Sequence, residues 1–194
     1  MNKIKIYSYK EPMNREYFSR IFEIIEYSFP ETEHRSLNEH FAEFKRNMFR
    51  SMVLEEHNDN EDGTVMGFMN FWELDGFIYL EHFAVAKELR GQGLGTYLMD
   101  ELKKISGTII LEAELPEQSE TAARRVRYYE RLGFFLNRYK YFQPPYSDGE
   151  QPLPLSIMSF PNLLSREEFF RIRGELYRGA YEVPEESDLY LSKF

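Results

Sequence analysis

The segment that most constrains the fold is Arg90-Gly91-Gln92-Gly93-Leu94-Gly95-Thr96. It follows a strand pattern at residues 77–85 and precedes a helical stripe of apolar residues that starts at Leu98. Three closely spaced glycines allow a tight turn and expose backbone N–H groups at the start of the helix. The partial positive charge there favours a phosphate or pyrophosphate, and Arg90 would add a cation. We therefore expect an anion-binding turn between a buried strand and a helix.

Two better-known glycine motifs are excluded at this turn. No Gly-Lys-Ser or Gly-Lys-Thr follows, as a Walker P-loop requires, and the third glycine falls at 95 instead of at the position of a dinucleotide fingerprint. The remaining alternative is that the glycines serve only a tight turn and close helix packing.

Apolar periodicity predicts a mixed α/β (α+β) fold whose central, mostly antiparallel sheet has helices packed on it. Capping boxes at Ser36 and Ser165 predict two of the helices, the first with Leu37, Phe41, Phe44 and Met48 on one face. Both faces of the strand at residues 77–85 are largely apolar, which predicts a central strand. The predicted strands cover residues 3–9, 52–56, 65–73, 77–85, 108–112, 134–142 and 153–160.

Length and composition indicate one folded domain over residues 1–194, with a helical extension from residue 161. The chain has 194 residues, of which 42% are hydrophobic and 16% aromatic, enough to form a substantial core. This composition excludes a disordered chain.

Charge and cysteine content exclude several kinds of partner. The net charge of −9 repels phosphate backbones and anionic lipid and favours a cationic substrate, so we expect no nucleic-acid or membrane partner. The absence of cysteine excludes disulfides and Cys-ligated zinc. The longest uncharged run, residues 151–165, is too short to span a bilayer, and residues 3–11 lack a signal-peptide core. We expect a cytoplasmic protein. The sequence is also compatible with a homodimer.

Two sequence signatures carry a family resemblance. Residues 79–99 read YLEHFAVAKELRGQGLGTYLM and contain an Arg/Gln-x-x-Gly-x-Gly/Ala element at Arg90, Gly93 and Gly95. Further on, residues 129–134 read Tyr-Glu-Arg-Leu-Gly-Phe. Together they resemble the signatures of the GNAT superfamily of acetyl-CoA-dependent N-acetyltransferases, strongly over residues 65–142 and more loosely from residue 3.

The resemblance implies acetyl-CoA as cosubstrate and a sheet splayed between strands 77–85 and 108–112, with helices on both faces. Pantetheine would enter that cleft and pair with backbone groups near Phe83, Ala84 and Val85, while residues 90–96 would hold the pyrophosphate. Many relatives carry an Asn near the start of the helix before the signature tyrosine. Ser119 or Thr121 would replace it here, or the contact is absent.

Acetyl transfer to an amine requires a proton acceptor, because an alkyl amine of pKa ~10 is mostly charged at neutral pH. Glu81, on the central strand, is the first choice, with a pKa raised by burial, and Glu112 and Glu114 are alternatives. A merely solvated or paired carboxylate is the competing interpretation of Glu81.

The departing thiolate needs a proton donor and the thioester oxygen a polarising group. Tyr129 matches the family's acid, and the backbone N–H near Val85 is the candidate polarising group. A plain core tyrosine on the stripe of its helix is the alternative for Tyr129.

Other features carry weaker expectations. The four histidines show no metal spacing, and His82 is expected on the strand face opposite Glu81, so we predict structural roles and no metal. The arginines of the second signature helix indicate a solvated face, or contacts to cofactor phosphates. Aromatic residues near Pro144 belong to sheet surface and turn, or line a substrate pocket or subunit contact. These sets are His34, His40, His57 and His82; Arg124, Arg125, Arg127 and Arg131; and Tyr139, Tyr141, Phe142 and Tyr146.

The leading hypothesis is an enzyme that acetylates a primary amine on a small cationic molecule. One alternative keeps the reaction but acetylates a protein N-terminus or lysine, which needs an open peptide groove. The other is an acyl-CoA sensor without turnover, which would need no acid at Tyr129.

Overall fold

The computed structural model describes residues 2–56, 63–147 and 149–191. His57 lies outside these residues. The chain forms two compact units that interleave along the sequence. The first comprises Met1–Glu73 and Leu80–Ile105, and the second comprises Leu74–Tyr79 and Ser106–Phe194. The prediction of one domain over the whole chain stays a prediction.

The strands of the first unit form an antiparallel meander, as predicted. β1 pairs antiparallel with β2, and β2 pairs antiparallel with β3, with a register shift at Leu54 and Glu55. β4 follows β3 after a two-residue turn in which Gly76 has a φ of +81°. The strands are β1 (Asn2–Ser8), β2 (Phe49–Glu56), β3 (Thr64–Leu74) and β4 (Phe77–Val85).

The helices of the first unit begin where side-chain caps satisfy their exposed N–H groups. α1 (Arg15–Ser28) starts at Asn14, whose side chain accepts from the Tyr17 N–H at 2.7 Å. α2 (Leu37–Ala42) has the predicted capping box at Ser36. α3 (Leu94–Ile105) follows the glycine turn.

The prediction that one helical face extends from Leu37 to Met48 is wrong. α2 ends at Ala42 and tightens into a 3₁₀ turn, Glu43–Lys45. Phe44 is still buried, in an edge-to-face contact with Phe18 of α1 at 5.6 Å between ring centroids, whereas Met48 is 37% exposed. The tighter turn rotates Met48 off the buried face.

β8 organises the strands of the second unit, because it pairs antiparallel with β5, β6 and β7. Pro152 lies just before it and Pro154 within it, yet the strand forms as predicted. The strands are β5 (Ile109–Glu114), β6 (Phe135–Leu136), β7 (Tyr141–Gln143) and β8 (Leu153–Phe160).

The predicted continuous strand at 134–142 is broken into β6 and β7 by a buried asparagine. The Asn137 amide donates to the carbonyl of Ile157 at 3.2 Å and to Ser159 Oγ at 2.9 Å. Its Oδ1 accepts from the Leu164 N–H at 2.9 Å. The Asn137 N–H also donates to the Ile157 carbonyl at 2.9 Å, so the pairing of β6 with β8 continues to Asn137. The additional side-chain bonds fix Asn137 where the regular strand ends.

Three helices complete the second unit: α4 (Glu120–Arg131), α5 (Arg166–Gly179) and α6 (Asp188–Leu191). α5 has the predicted capping box at Ser165 and buries an apolar face. Its Phe169 packs on Tyr139 at 4.8 Å, and its Tyr177 lies 5.9 Å from Tyr141. The C-terminal extension is therefore part of the core of this unit.

Both units combine antiparallel strands with helices, so the fold is the predicted mixed α/β class. In the portion of the chain that the structure describes, no helix has both the length and the apolar character needed to cross a membrane.

Candidate active site

The glycine turn (residues 90–96) joins β4 to α3 through two left-handed backbone conformations. The φ angles of Gly91 and Gly93 are +80° and +82°. A Cβ atom at either position would meet nothing within 4 Å, so backbone conformation, and not lack of space, requires glycine there.

The first turn of α3 presents its N–H groups outward. The Tyr97 N–H donates to the carbonyl of Gly93 at 3.0 Å, which is the first bond of the helix. Among the residues described, the N–H groups of residues 91–96 donate to no backbone carbonyl. Most of this segment is exposed. A helix N-terminus with free N–H groups is a site where proteins hold phosphate groups.

Arg90 braces the glycine turn. Its Nε donates to the carbonyl of Val85 at 3.0 Å, and its Nη2 donates to Ser28 Oγ at 2.9 Å. The guanidinium also lies 5.8 Å from the centre of the Tyr27 ring. This structural role was missed from the sequence, because Ser28 is 62 residues away along the chain. A contact from Arg90 to a phosphate stays a prediction.

The predicted pantetheine-binding segment is the end of β4. Phe83 and Val85 are partly exposed, whereas Ala84 is buried. A Cβ added to Gly67 of β3 would lie 3.0 Å from the Ala84 carbonyl oxygen, which shows how closely β3 approaches here. Arg90 already donates to the Val85 carbonyl, so this oxygen has one partner within the protein.

Glu81 lies in a closed polar cluster of the first unit. Its side chain has no exposed surface, and Arg35 Nη1 lies 2.5 Å from its Oε1. Trp72 Nε1 donates to Oε2 at 2.9 Å. Arg35 also pairs with Glu43 at 3.1 Å. The paired-carboxylate interpretation therefore describes the position of Glu81.

The expectation that burial raises the pKa of Glu81 is wrong. Burial acts in that direction, but the positive charge of Arg35 beside the carboxylate outweighs it and lowers the pKa to about 2. Nothing local in the sequence indicates Arg35 as the partner, because it lies 46 residues upstream. A carboxylate of such low proton affinity is a weak general base at neutral pH.

Two buried histidines lie beside Glu81, and the prediction that His82 occupies the opposite face is wrong. His82 Nδ1 is 3.9 Å from Glu81 Oε2, and its Nε2 is held by the Glu33 carbonyl at 3.0 Å. His40 Nε2 lies 2.9 Å from Asn70 Nδ2. Burial lowers the pKa of both histidines, so both are neutral at pH 7.

His40, Glu81 and His82 also converge in a way that the sequence spacing did not indicate. One ligand-type atom from each lies within 4.8 Å of the others. Arg35 and Trp72 already bond to the carboxylate, so Glu81 has a cation beside it. The prediction that the protein uses no metal stays a prediction.

Tyr129 lies on the buried side of α4 in the second unit. It is 9% exposed and packs between Tyr128 and Phe134, at 5.4 and 5.8 Å between ring centroids. Burial raises its pKa to about 12, although the nearby Arg125 acts in the opposite direction. Tyr129 is thus a protonated donor at neutral pH.

Most polar residues around α4 either bond to another residue or are exposed to solvent. Ser119 caps the helix by accepting from the Ala122 N–H at 3.0 Å, whereas Thr121 is exposed. Arg125 pairs with Glu114 at 2.7 Å, which engages one of the alternative base candidates. The expected solvated arginine face is confirmed for the other three arginines, Arg124, Arg127 and Arg131.

The other alternative, Glu112 of β5, accepts hydrogen bonds from the hydroxyls of Tyr79, Tyr141 and Tyr181. Three members of the aromatic run, Tyr139, Tyr141 and Phe142, line a cleft of about 520 Å³, together with Leu115. The aromatic run therefore provides a concave surface in this unit.

A helix start with free N–H groups can hold phosphate, and a buried phenol can donate a proton. Enzymes that transfer an acyl group from a coenzyme thioester use groups of both kinds. Residues 17–134 match the model of the acetyltransferase (GNAT) family. The chain belongs to this family.

Individual relatives agree with this assignment. A solved structure titled "Putative acetyltransferase from GNAT family" from Bacteroides thetaiotaomicron is 30% identical, with a TM-score of 0.80 over 94% of this chain and 99% of that one. The "Putative acetyltransferase YjbC" of Bacillus subtilis (strain 168) is 34% identical over 52% of this chain. The matched region spans 55%, about half, of that relative's length.

A more distant structure shares the fold alone. The spermidine/spermine N-acetyltransferase SpeG from Vibrio cholerae is 15% identical and has a TM-score of 0.54, covering 82% of this chain and 94% of that one.

Replacing Glu81 tests whether it is a buried ion-pair partner or a base. Glu81→Gln removes one of the two carboxylates that pair with the buried Arg35 guanidinium, so we expect a loss of stability of about 3 kcal/mol. Because the carboxylate has a lowered pKa, its contribution is full above pH ~4.5 and is lost as the pH falls towards 2. The thermal midpoint of the variant should therefore lie well below that of wild type at pH 7, with the difference shrinking in acid.

Glu101→Gln is the matched control, because Glu101 pairs with Lys104 on the exposed face of α3 and should change stability by less than about 1 kcal/mol. The opposite result would identify Glu81 as the base. In that case Glu81→Gln would keep the wild-type thermal midpoint, and its kcat/KM would be low at pH 7 and recover at high pH.

Replacing Tyr129 tests its role as the donor to the departing thiolate. Tyr129→Phe keeps the ring packing, so acetyl-CoA affinity should stay within a few fold while kcat falls by roughly 10²-fold. Since the pKa of Tyr129 is about 12, wild-type kcat should show no loss from its ionisation up to about pH 10.

Tyr128→Phe, one residue earlier on the same helix, removes a hydroxyl without this role and should keep kcat. An unchanged kcat for Tyr129→Phe, with chemistry shown to be rate-limiting, would make Tyr129 a packing residue.

Proposed function

We propose that this chain moves the acetyl group of acetyl-CoA to a primary amine of a small cationic molecule, in the reducing cytoplasm that a chain without cysteine suits. The observation that carries the proposal is the glycine turn, where two left-handed glycines present the N–H groups of the α3 start. The net charge of −9 favours a cationic acceptor over an anionic one.

The proposed contacts to acetyl-CoA lie at the end of β4 and in the glycine turn. The N–H groups of residues 91–96 would hold the pyrophosphate, with Arg90 keeping the turn against Val85. The backbone at Phe83, Ala84 and Val85 would pair with the pantetheine amides. No side chain other than Arg90 is required for these contacts, which agrees with a turn rich in glycine.

The proposed chemistry begins with a neutral amine that attacks the thioester carbon. The carbonyl oxygen becomes negative in the tetrahedral intermediate, where a backbone N–H near Val85 would stabilise it. The C–S bond then breaks, and the thiolate takes the proton of Tyr129, which is regained from solvent. The nitrogen loses its proton to solvent, because the Glu81 carboxylate is buried and already bonded to Arg35 and Trp72.

A protein that shares this fold is a spermidine/spermine N-acetyltransferase, which supports the proposal of a small cationic acceptor. At 15% identity the likeness itself concerns the fold alone.

An amine panel that follows free thiol from acetyl-CoA tests the proposed function. We expect thiol release to depend on added amine, to be fastest with small cationic amines, and to rise with pH from 6 to 9 as the free-amine fraction grows. Peptides that carry a free N-terminus or a lysine serve as the comparison acceptors.

Faster acetylation of the peptides would favour the protein acceptor. Tight acetyl-CoA binding with no thiol release for any amine would instead indicate a sensor.

A further inference from the structure

Gly67 of β3 packs against both the end of β4 and the helix α3. A Cβ atom at this position would lie 3.0 Å from the Ala84 carbonyl oxygen, 3.2 Å from Leu98 Cδ1 and 3.4 Å from Val85 Cα. Gly67 is buried within the strand and its φ is not left-handed. Lack of space therefore requires glycine here, in contrast to the glycines of the turn, where backbone conformation requires it.

A β-bulge lies directly beside Gly67. Two consecutive residues of β2 pair with Gly67 and Val65, so Met66 is an additional residue in β3. The Met66 carbonyl accepts from the Ala86 N–H at 2.9 Å. This bond lies directly before the 3₁₀ turn Lys87–Leu89, which leads into the glycine turn. The backbone of β3 therefore holds the chain up to the point where it leaves β4.

The neighbours of Gly67 belong to the two parts of the proposed acetyl-CoA site. Ala84 lies in the segment of β4 that would pair with the pantetheine amides. Leu98 lies on α3, whose first N–H groups would hold the pyrophosphate, and its side chain is fully buried. Both parts pack on Gly67, so the absence of a side chain there determines how close they lie.

A methyl group at Gly67 would have to displace one of these parts. A carbon atom 3.0 Å from a backbone oxygen is closer than ordinary van der Waals contact, and a backbone oxygen cannot rotate away as a flexible side chain can. The end of β4 or the start of α3 would then shift. One acetyl-CoA molecule contacts both parts at once, so such a shift misplaces one set of contacts relative to the other.

We propose that Gly67 is a positioning residue for acetyl-CoA, because its missing side chain sets the spacing between the pantetheine-binding end of β4 and the pyrophosphate-binding start of α3. Gly67 acts through Ala84 and Leu98 and does not itself contact the ligand. This inference rests on the proposed binding of acetyl-CoA. A glycine needed for packing alone would affect stability and leave the affinity of the folded protein unchanged.

Calorimetry of acetyl-CoA binding to Gly67→Ala tests the inference. The measurement is made well below the thermal midpoint of the variant, where circular dichroism shows that it is folded. We expect the dissociation constant to rise about 10-fold or more above that of wild type, because one set of contacts is lost. The thermal midpoint should also fall, because the added methyl group overpacks a buried position.

Gly63→Ala is the matched control, because it makes the same substitution in the same unit, directly before β3. Its Cβ atom would lie 2.7 Å from the Glu56 carbonyl oxygen, at the end of β2 and not of β4. This variant should also have a lower thermal midpoint than wild type, but it should bind acetyl-CoA within about 3-fold of the wild-type affinity.

ADP separates a change of spacing from general damage to the site. It carries a pyrophosphate but no pantetheine, so its binding depends on the glycine turn and not on the distance to β4. Gly67→Ala should bind ADP within about 3-fold of wild type, although its affinity for acetyl-CoA is about 10-fold lower or more. A damaged site would bind both ligands more weakly to the same extent.

If Gly67→Ala does not fold, Gly67→Ala together with Leu98→Val decides the question. Valine lacks the Cδ atoms of leucine, so the contact with α3 is relieved while the contact with the Ala84 oxygen remains. The double variant should bind acetyl-CoA several-fold more weakly than Leu98→Val alone.

The results that would overturn this inference differ from a failure of the proposed function. Wild-type affinity of Gly67→Ala for acetyl-CoA, or an equal loss for acetyl-CoA and ADP, would make Gly67 a packing residue and leave acetyl-CoA binding in place. A wild-type protein that binds no acetyl-CoA would contradict the proposed function itself, and this inference with it.

Discussion

The proposed acetyl-CoA binding by the first unit depends on the left-handed backbone conformation of Gly91 and Gly93. It lets the chain leave β4 and enter α3 with the first N–H groups of the helix facing outward. Any side chain at these positions would force a conformation that costs of the order of 1–3 kcal/mol. The hydrogen bonds from Arg90 to Val85 and Ser28 further stabilise this backbone conformation.

A network of buried charged residues is the second feature that stabilises the first unit. Arg35 lies between Glu81 and Glu43, and the two histidines beside it remain neutral. Such a network is strongly destabilised when one partner is removed, because the other charge is left buried. Glu81, on the strand that leads into the glycine turn, is therefore a buried, paired anion, and its role as the base stays a prediction.

Local patterns in the sequence predicted most of the elements. The capping boxes at Ser36 and Ser165 and the bounds of β4 and β8 depend on neighbouring residues alone, and the structure confirms them. The sequence also predicted the tight glycine turn that contains the two glycines with positive φ.

What the sequence could not show depends on partners far along the chain. Arg35 reaches Glu81 over 46 residues, and Tyr181 reaches Glu112 over 69. The same holds for the break at Asn137, whose amide bonds to residues on β8. Periodicity reports which face of an element is apolar, but it does not report which polar residue meets another.

Calorimetry of acetyl-CoA binding to glycine variants tests most directly whether the glycine turn holds acetyl-CoA. Gly93→Val places a β-branched residue in a left-handed conformation and should weaken binding by more than 10-fold. Gly107→Val makes the same change at an exposed glycine with open space and no left-handed φ, and should bind as wild type does. Equal affinity of wild type and Gly93→Val for acetyl-CoA would contradict the account.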